Sequence, residues 1–402
     1  MNAAAAGPSI APEEIVSAFD IPGSCVSIVP FGKGHINDTY LSSWRSAAPG
    51  GADARGGDRC YIHQRINDKV FRRPDQVMEN IARVTAHLAR ALRREGADDI
   101  ERRTLAVVPA RSGESWHRDR RGGWWRTYLF IGGTRAEDRV ESSGQARLLG
   151  AAIGKFQRML ADLPPPPLHE TIPSFHDMRF RYRQLDEALA ADRMGRARSV
   201  GPELEFFAAN RERGAALAEG LERGSLPARI CHNDAKLNNI LLDEASGEAL
   251  CVVDLDTVMP GTALFDFGDL VRTVASTAEE DETNLARITF DIDLYGALLA
   301  GYLSEAAGFL VPAETALLAE AGRNLAQIMG LRFLADYLAG DVYYKIDRAA
   351  HNLDRCRGQI ALVRSMDASR EDIDRITLSA VAGAAVAESA PIGGAPGASR
   401  GR

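Results

Sequence analysis

A short polar segment lies between two apolar runs at residues 230–243, where the sequence reads ICHNDAKLNNILLD. It contains Asp234, Lys236 and Asn239, and Asp254 follows at the end of the apolar run ALCVV. Two carboxylates and an amide oxygen form a hard ligand set, which suits Mg²⁺ held together with substrate phosphates. Lys236 could neutralise a phosphate, and a carboxylate off the metal could accept a proton from a hydroxyl. A lone Asp234–Asn239 spacing would indicate only a stabilised loop, but the whole set predicts phosphoryl transfer.

A second candidate cluster is FGKGHIND (31–38), which lies between two predicted strands. Gly32 and Gly34 would let backbone N–H groups approach phosphates, although two glycines in a hairpin often mark only a turn. Arg65, on the next strand, could meet the α- and β-phosphates. Glu79, on the helix that follows, could hold Arg65 by an ion pair, the simpler alternative being an ordinary surface pair.

The string Asp-Phe-Gly occurs at 266–268, and in protein kinases such a string carries a metal-binding aspartate. Here no apolar strand precedes it, whereas one does precede Asp254. We therefore predict that Asp266 and Asp269 lie in a loop or at a helix start and support the site.

The hydrophobic pattern predicts an α+β chain with two lobes that meet at a cleft. Residues 12–134 would form a small lobe of about five antiparallel strands with one long helix at 74–95. This lobe would bind the nucleotide. Residues 135–370 would form a larger, mainly helical lobe that carries catalysis and the acceptor. The Ala-, Gly- and Ser-rich tail, 380–402, is expected to be disordered.

Composition limits the classes of partner. The chain has 402 residues and a net charge of −7, which argues against nucleic acid as the main partner. Its five cysteines include no C-x-x-C pair, so a reducing, cytoplasmic location is expected without disulfides. No secretory signal and no apolar stretch of roughly 18 residues is evident, so no membrane contact is expected. The oligomeric state is left open.

Several strings together resemble the N-acetylhexosamine 1-kinases, within the aminoglycoside phosphotransferase and choline kinase group, over most of residues 22–365. The strings are FGKGHINDTY, YIHQRIN, VMENI, HNDAKLNNIL, VVDLDTVMPG, LFDFGDLVR and GLRFLADYLAGDVYYK. This group shares the protein-kinase-like fold. The resemblance implies ATP- and Mg²⁺-dependent phosphorylation of the anomeric hydroxyl of GlcNAc or GalNAc.

The resemblance also implies roles for individual residues. Asp234 would be the catalytic base, and Asn239 and Asp254 would be the metal ligands. Further matched positions are His35, Arg332 and Tyr343 for the sugar. The catalytic role of Lys236 and the nucleotide contacts of Gly32, Gly34, Arg65 and Glu79 are expected from the residues themselves. Arg65 stands where protein kinases have lysine, His63 departs from the pattern locally, and the loop at 45–59 and the tail lack family counterparts.

Two other functions remain open from the sequence. The same chemistry could act on another sugar, an aminoglycoside or an amino alcohol. A non-catalytic nucleotide-binding protein is the second alternative, against which the intact Asp234, Asn239 and Asp254 argue. His176 could either approach the sugar or serve as a structural histidine.

Overall fold

The computed structural model describes residues 12–32, 36–45 and 59–389 of the chain. Its N-terminal region is an antiparallel sheet with three accompanying helices. The strands are β1 (Ser24–Pro30), β2 (Asp38–Arg45), β3 (Arg59–Ile66), β4 (Val107–Val108), β5 (His117–Arg118) and β6 (Trp124–Leu129). The helices are α1 (Pro12–Val16), α2 (Pro74–Arg94) and α3 (Ile100–Arg103). The strand order is β1-β2-β3-β6-β4, and β5 also pairs with β6.

Side-chain alternation along β3 separates the two faces of this sheet. Tyr61 packs in the small core that includes Phe19, just after α1. Ile66 packs in the larger core shared with α2. Helix α2 begins at Pro74, which suits the first turn of a helix, as its sequence predicts.

The C-terminal region is mainly helical and carries two small sheets. The helices are α4 (Ser143–Leu160), α5 (Met178–Ala191), α6 (Gly201–Ala209), α7 (Ala216–Glu222), α8 (Ala263–Val274), α9 (Ile292–Ala306), α10 (Pro312–Thr315), α11 (Leu318–Ala339), α12 (His351–Ala368) and α13 (Arg370–Ser389). The strands are β7 (Thr134–Arg135), β8 (Arg229–Cys231), β9 (Ile240–Asp243), β10 (Ala249–Val252) and β11 (Met259–Gly261). They pair as β10-β9-β7 and β11-β8, and the polar segment joins β8 to β9.

Close packing of α4 on α9 positions a polar side chain beneath this segment. A Cβ atom at Gly150 of α4 would lie 2.1 Å from the backbone oxygen of Leu298, so only glycine allows the contact. Tyr302 of α9 then donates a hydrogen bond to the Gln157 side chain at 2.7 Å. Gln157 in turn donates to Asp266 at 2.9 Å.

The structure confirms the predicted fold class and corrects one local expectation. Residues 380–389 are helical rather than disordered, because an alanine-rich sequence favours helix and Thr377 of the same helix hydrogen-bonds Tyr295 at 2.7 Å. Residues 390–402 lie outside the described part. Within the described ranges, no helix is long and apolar enough to cross a bilayer.

Candidate active site

The polar segment is held as a rigid turn by buried hydrogen bonds. Asp266, in the first turn of α8, accepts the backbone N–H groups of His232 and Asn233 at 2.9 and 2.7 Å. The His232 ring donates to the Val253 oxygen at 2.8 Å and accepts the Asp234 N–H at 3.2 Å. Asp266 thus has the supporting role that the sequence predicts, and Asp234 projects from a fixed backbone.

Asp234 forms an ion pair with Lys236, whose Nζ lies 3.1 Å from Asp234 Oδ2. The Asn239 amide also donates to this carboxylate at 3.2 Å and to the Asp234 backbone oxygen at 2.8 Å. Burial favours the protonated acid, but Lys236 and His232 outweigh it and lower the pKa of Asp234. Asp234 in turn raises the pKa of Lys236. A carboxylate of low pKa is suited to orient a hydroxyl rather than to remove its proton early.

Asn239 and Asp254 could both offer oxygen ligands to a metal ion. Val253 donates its backbone N–H to the Asn239 backbone oxygen at 2.9 Å, which places Asp254 beside the polar segment. Asp254 has φ of 61°, a left-handed conformation that turns the chain at the end of β10. Because the Asn239 amide nitrogen already donates to Asp234, its side-chain oxygen remains for a cation. Burial and the carboxylates of Asp256 and Asp234 raise the pKa of Asp254 to about 6, and a divalent cation would relieve that repulsion.

These residues fit a hard divalent cation that binds together with phosphate oxygens. Among the described residues, no group of three or more His, Cys, Asp or Glu side chains is arranged to hold a metal ion unaided. Two protein oxygens with the remainder from a phosphate chain match the preference of Mg²⁺. When bound, such a cation would neutralise charge on the phosphates.

The sequence did not indicate a buried network that joins the sheet to the loop after Asp254. Arg126 of β6 is 1% exposed and forms an ion pair with Asp256. Arg126 also donates to Gln64 at 2.7 Å, and Asn37 donates to the other Asp256 oxygen at 2.7 Å. Both oxygens of Asp256 are therefore occupied, which leaves Asp254 as the available carboxylate of this loop.

The predicted ion pair between Arg65 and Glu79 is wrong. Arg65 is half-exposed and lies on the α1 side of the sheet, where Asp38 is 4.0 Å away. Glu79 instead lies 2.8 Å from the His169 ring. Alternation along β3 explains the error, since it turns Gln64 toward Arg126 and Asp256 and Arg65 to the opposite face.

The glycine-bearing turn is described only in part. Gly32 has φ of 75° with open space around its Cα, so glycine suits this conformation. Gly34 and His35 lie outside the described residues. Asn37, just after the turn, reaches Asp256 and accepts the Asn67 N–H at 3.0 Å.

A pocket of about 130 Å³ connects the two regions at Asp234, and it is called the acceptor pocket below. Its lining brings together Asp234, Lys236, Asp254, Arg332 and Tyr343, which the sequence placed at one site. Ile36, Val70 and Phe71 line it from the N-terminal region. The Arg332 guanidinium lies over the Phe175 ring, 4.5 Å from its centre, and 5.7 Å from the centre of the Tyr343 ring.

His176 supports the polar segment next to Asp234. Its ring donates to the Asn233 backbone oxygen at 2.7 Å and lies between the rings of Phe175 and Phe265. Burial and Arg332 lower its pKa to about 3, so the ring is neutral. Of the two roles open from the sequence, this geometry favours the structural one.

The family model described as "Phosphotransferase enzyme family" matches residues 27–310. The chain belongs to this phosphotransferase family. The matched range includes Asp234, Asn239 and Asp254.

Solved structures share the fold at low identity. An aminoglycoside phosphotransferase from Alicyclobacillus acidocaldarius is 13% identical with a TM-score of 0.52, covering 96% of this chain and 99% of its own. Amicoumacin kinase in complex with AMP-PNP, Ca²⁺ and Ami is 13% identical with a TM-score of 0.53, covering 87% and 92%. Choline kinase from Cryptosporidium parvum is 13% identical with a TM-score of 0.51, covering 92% and 99%. These likenesses confirm the protein-kinase-like fold.

Proposed function

We propose that this phosphotransferase uses Mg²⁺-ATP to phosphorylate the anomeric hydroxyl of N-acetylhexosamines, GlcNAc or GalNAc. The observation that carries the proposal is the acceptor pocket, in which Asp234 shares one cavity with Arg332 and Tyr343. Aromatic walls with a few directed polar groups suit a neutral ring rich in hydroxyls. Asp234 would orient the 1-hydroxyl, which is more acidic than an ordinary alcohol. Its lowered pKa is compatible with that role.

Asn239 and Asp254 would hold the Mg²⁺, and Gly32 and Gly34 would lie near the phosphates. Amicoumacin kinase, which shares this fold, is described in complex with AMP-PNP and Ca²⁺, which supports a nucleotide and a divalent cation here. We infer that Lys236 holds Asp234 and lies near the transferring phosphoryl group. Arg65 and Glu79 have no place in this proposal, because Arg65 faces the other side of the sheet.

A cationic acceptor, such as an aminoglycoside or an amino alcohol, is the second candidate. A neighbouring cavity of about 400 Å³ also contains Lys236, and acidic residues line it, including Asp138, Glu279, Glu280 and Asp281. Acidic walls would attract a cation. Asp234 itself lines the acceptor pocket and not this cavity, so the neutral sugar is preferred.

ADP release with Mg²⁺-ATP across GlcNAc, GalNAc, glucose, galactose, choline and kanamycin tests the proposal. We expect turnover on the N-acetylhexosamines, a sugar 1-phosphate product, and loss of turnover in Asp234→Asn. Turnover only on choline or kanamycin would transfer the function to the second candidate. ATP binding without turnover on any acceptor would instead support a non-catalytic protein.

A further inference from the structure

A second cavity shares a wall with the acceptor pocket and is called the outer pocket. Its volume is about 670 Å³. Arg332, Tyr343 and Tyr344 line both cavities, so one layer of side chains separates them. Arg72, Arg181 and Arg193 add three more guanidinium groups to the outer pocket.

In the described part of the chain, the four arginines of the outer pocket form no ion pair. Among the described residues, no carboxylate oxygen lies within 4.0 Å of any of these guanidinium groups. Nearby Arg196, which does not line the pocket, pairs with Asp341 at 2.6 Å.

Arg181 is 7% exposed, and its acceptors among the described residues are the Phe175 backbone oxygen and Gln184. Burial and Arg332 lower its pKa to about 9. A buried charge bonded only to neutral groups is costly, and an anionic ligand would offset that cost.

Acidic residues of the outer pocket compensate little of this charge. Asp336 accepts the backbone N–H groups of Val342, Tyr343 and Tyr344 at 2.8–3.0 Å, so its carboxylate is occupied by the loop. Glu187 is exposed and is the other acidic residue that lines the cavity. The outer pocket therefore has a positive balance of charge.

We propose that the outer pocket binds a carboxylate or phosphate group carried by the acceptor, remote from the hydroxyl that is phosphorylated. Guanidinium groups bind both anions through paired hydrogen bonds. The inference rests on the proposed function and narrows its substrate class to N-acetylhexosamines that bear an anionic substituent. The ring would lie in the acceptor pocket and the substituent beyond Tyr343.

Acceptor kinetics test this assignment. The acceptors are a glucuronic acid–GlcNAc disaccharide, its neutral glucose–GlcNAc counterpart and GlcNAc 6-phosphate. We expect KM at least about tenfold lower for an anionic acceptor than for the neutral disaccharide.

The exposed Arg72→Gln and Arg193→Gln variants should fold and lose this preference, while the KM for the neutral acceptor is unchanged. Arg90→Gln, an exposed arginine of α2 outside the pocket, is the matched control. Preference for the uronate or for the phosphate identifies which anion the pocket takes.

A binding measurement separates this inference from the proposed function. Calorimetric titration of the full chain with glucuronate and with inorganic phosphate requires no turnover. Binding that Arg193→Gln weakens and Arg90→Gln does not would support the outer pocket even if no N-acetylhexosamine is phosphorylated. If neither anion binds, or if Arg193→Gln binds both like the wild type, the inference is wrong even for an active N-acetylhexosamine kinase.

Discussion

At the scale of single residues, the site places a negative and a positive side chain in direct contact. Asp234 is held by Lys236 and Asn239, so its carboxylate is ionised and fixed in direction. Most of the rate in phosphoryl transfer comes from positioning and charge stabilisation rather than from strong bases. The residue predictions therefore concern orientation and charge.

Asp234→Asn should lower kcat by about 10²–10⁴, because the amide keeps the shape but cannot accept the hydroxyl proton. The KM for ATP should change little, since the proposed function places Asp234 at the acceptor rather than at the nucleotide. Steady-state kinetics check both values. Asn238→Ala, an exposed neighbour in the same turn, is the matched control. Unchanged kcat in Asp234→Asn would remove this carboxylate from the mechanism.

Asp254→Asn should raise the Mg²⁺ concentration for half-maximal activity by about tenfold or more, because an ionised ligand is lost. The measurement is a Mg²⁺ titration at fixed ATP in which free metal is calculated at each point. Asp138→Asn, an exposed carboxylate in the adjoining cavity, controls for the general loss of negative charge. Equal metal dependence in wild type and Asp254→Asn would contradict the ligand assignment.

Some of the predicted site residues that the structure brings together are also close along the chain. Asp234 and Asn239 share one turn, and Asp254 ends the strand that pairs with β9, so short-range pattern and strand pairing bring them together. The predicted ion pair of Arg65 with Glu79 was wrong because neighbouring residues of a strand face opposite sides, and the sequence around Arg65 did not define the register. Arg126 and Asp256 are separated by 130 residues, and no local pattern indicates such a contact.

At the scale of elements, the face of the N-terminal sheet that packs against Phe19 contains a buried neutral histidine. His63 of β3 is fully buried, and its ring nitrogens lie 2.7 Å from Ser42 and 2.8 Å from Thr127. Burial disfavours the protonated ring and lowers its pKa to about 4. His63 therefore ties β2, β3 and β6 together.

This histidine should make the free energy of unfolding depend on pH. Below pH 6.5 the unfolded chain protonates His63, while the folded chain does not until about pH 4. The unfolded state thus binds more protons in this window, and stability falls as pH falls. Between pH 7.5 and 5.0 the loss from His63 should be about 2 kcal/mol.

Urea denaturation of wild type and His63→Gln at pH 7.5 and 5.0 measures this contribution. The glutamine can still bond Ser42 or Thr127 but does not titrate, so its stability should fall by about 2 kcal/mol less than that of the wild type. Other histidines, including His176, contribute equally to both proteins and cancel in the comparison. An identical drop in the two proteins would show that His63 does not titrate differently on unfolding.

At the scale of the whole molecule, the ion pair of Arg126 and Asp256 connects the N-terminal sheet to the loop that carries Asp254. Burial alone would lower the pKa of Arg126, but Asp256 outweighs it and raises that pKa, so the guanidinium remains charged. Asn37 joins the same carboxylate from the end of the glycine-bearing turn. One buried group therefore links the predicted phosphate-binding turn, the sheet and the predicted metal ligand.

Arg126→Met should reduce the free energy of unfolding by about 3–5 kcal/mol, because Asp256 would remain as a buried unpaired charge. Asp256→Asn added to Arg126→Met should restore part of that stability, since the buried charge is then gone.

Both the single and the double variant should have reduced activity, because the loop of Asp254 loses its attachment to the sheet. The Mg²⁺ requirement of the double variant should stay above that of the wild type although its fold is recovered. Urea denaturation and Mg²⁺ titration together therefore separate the two roles of the pair. If the folded double variant has the Mg²⁺ dependence of the wild type, the ion pair contributes to stability and not to the metal site.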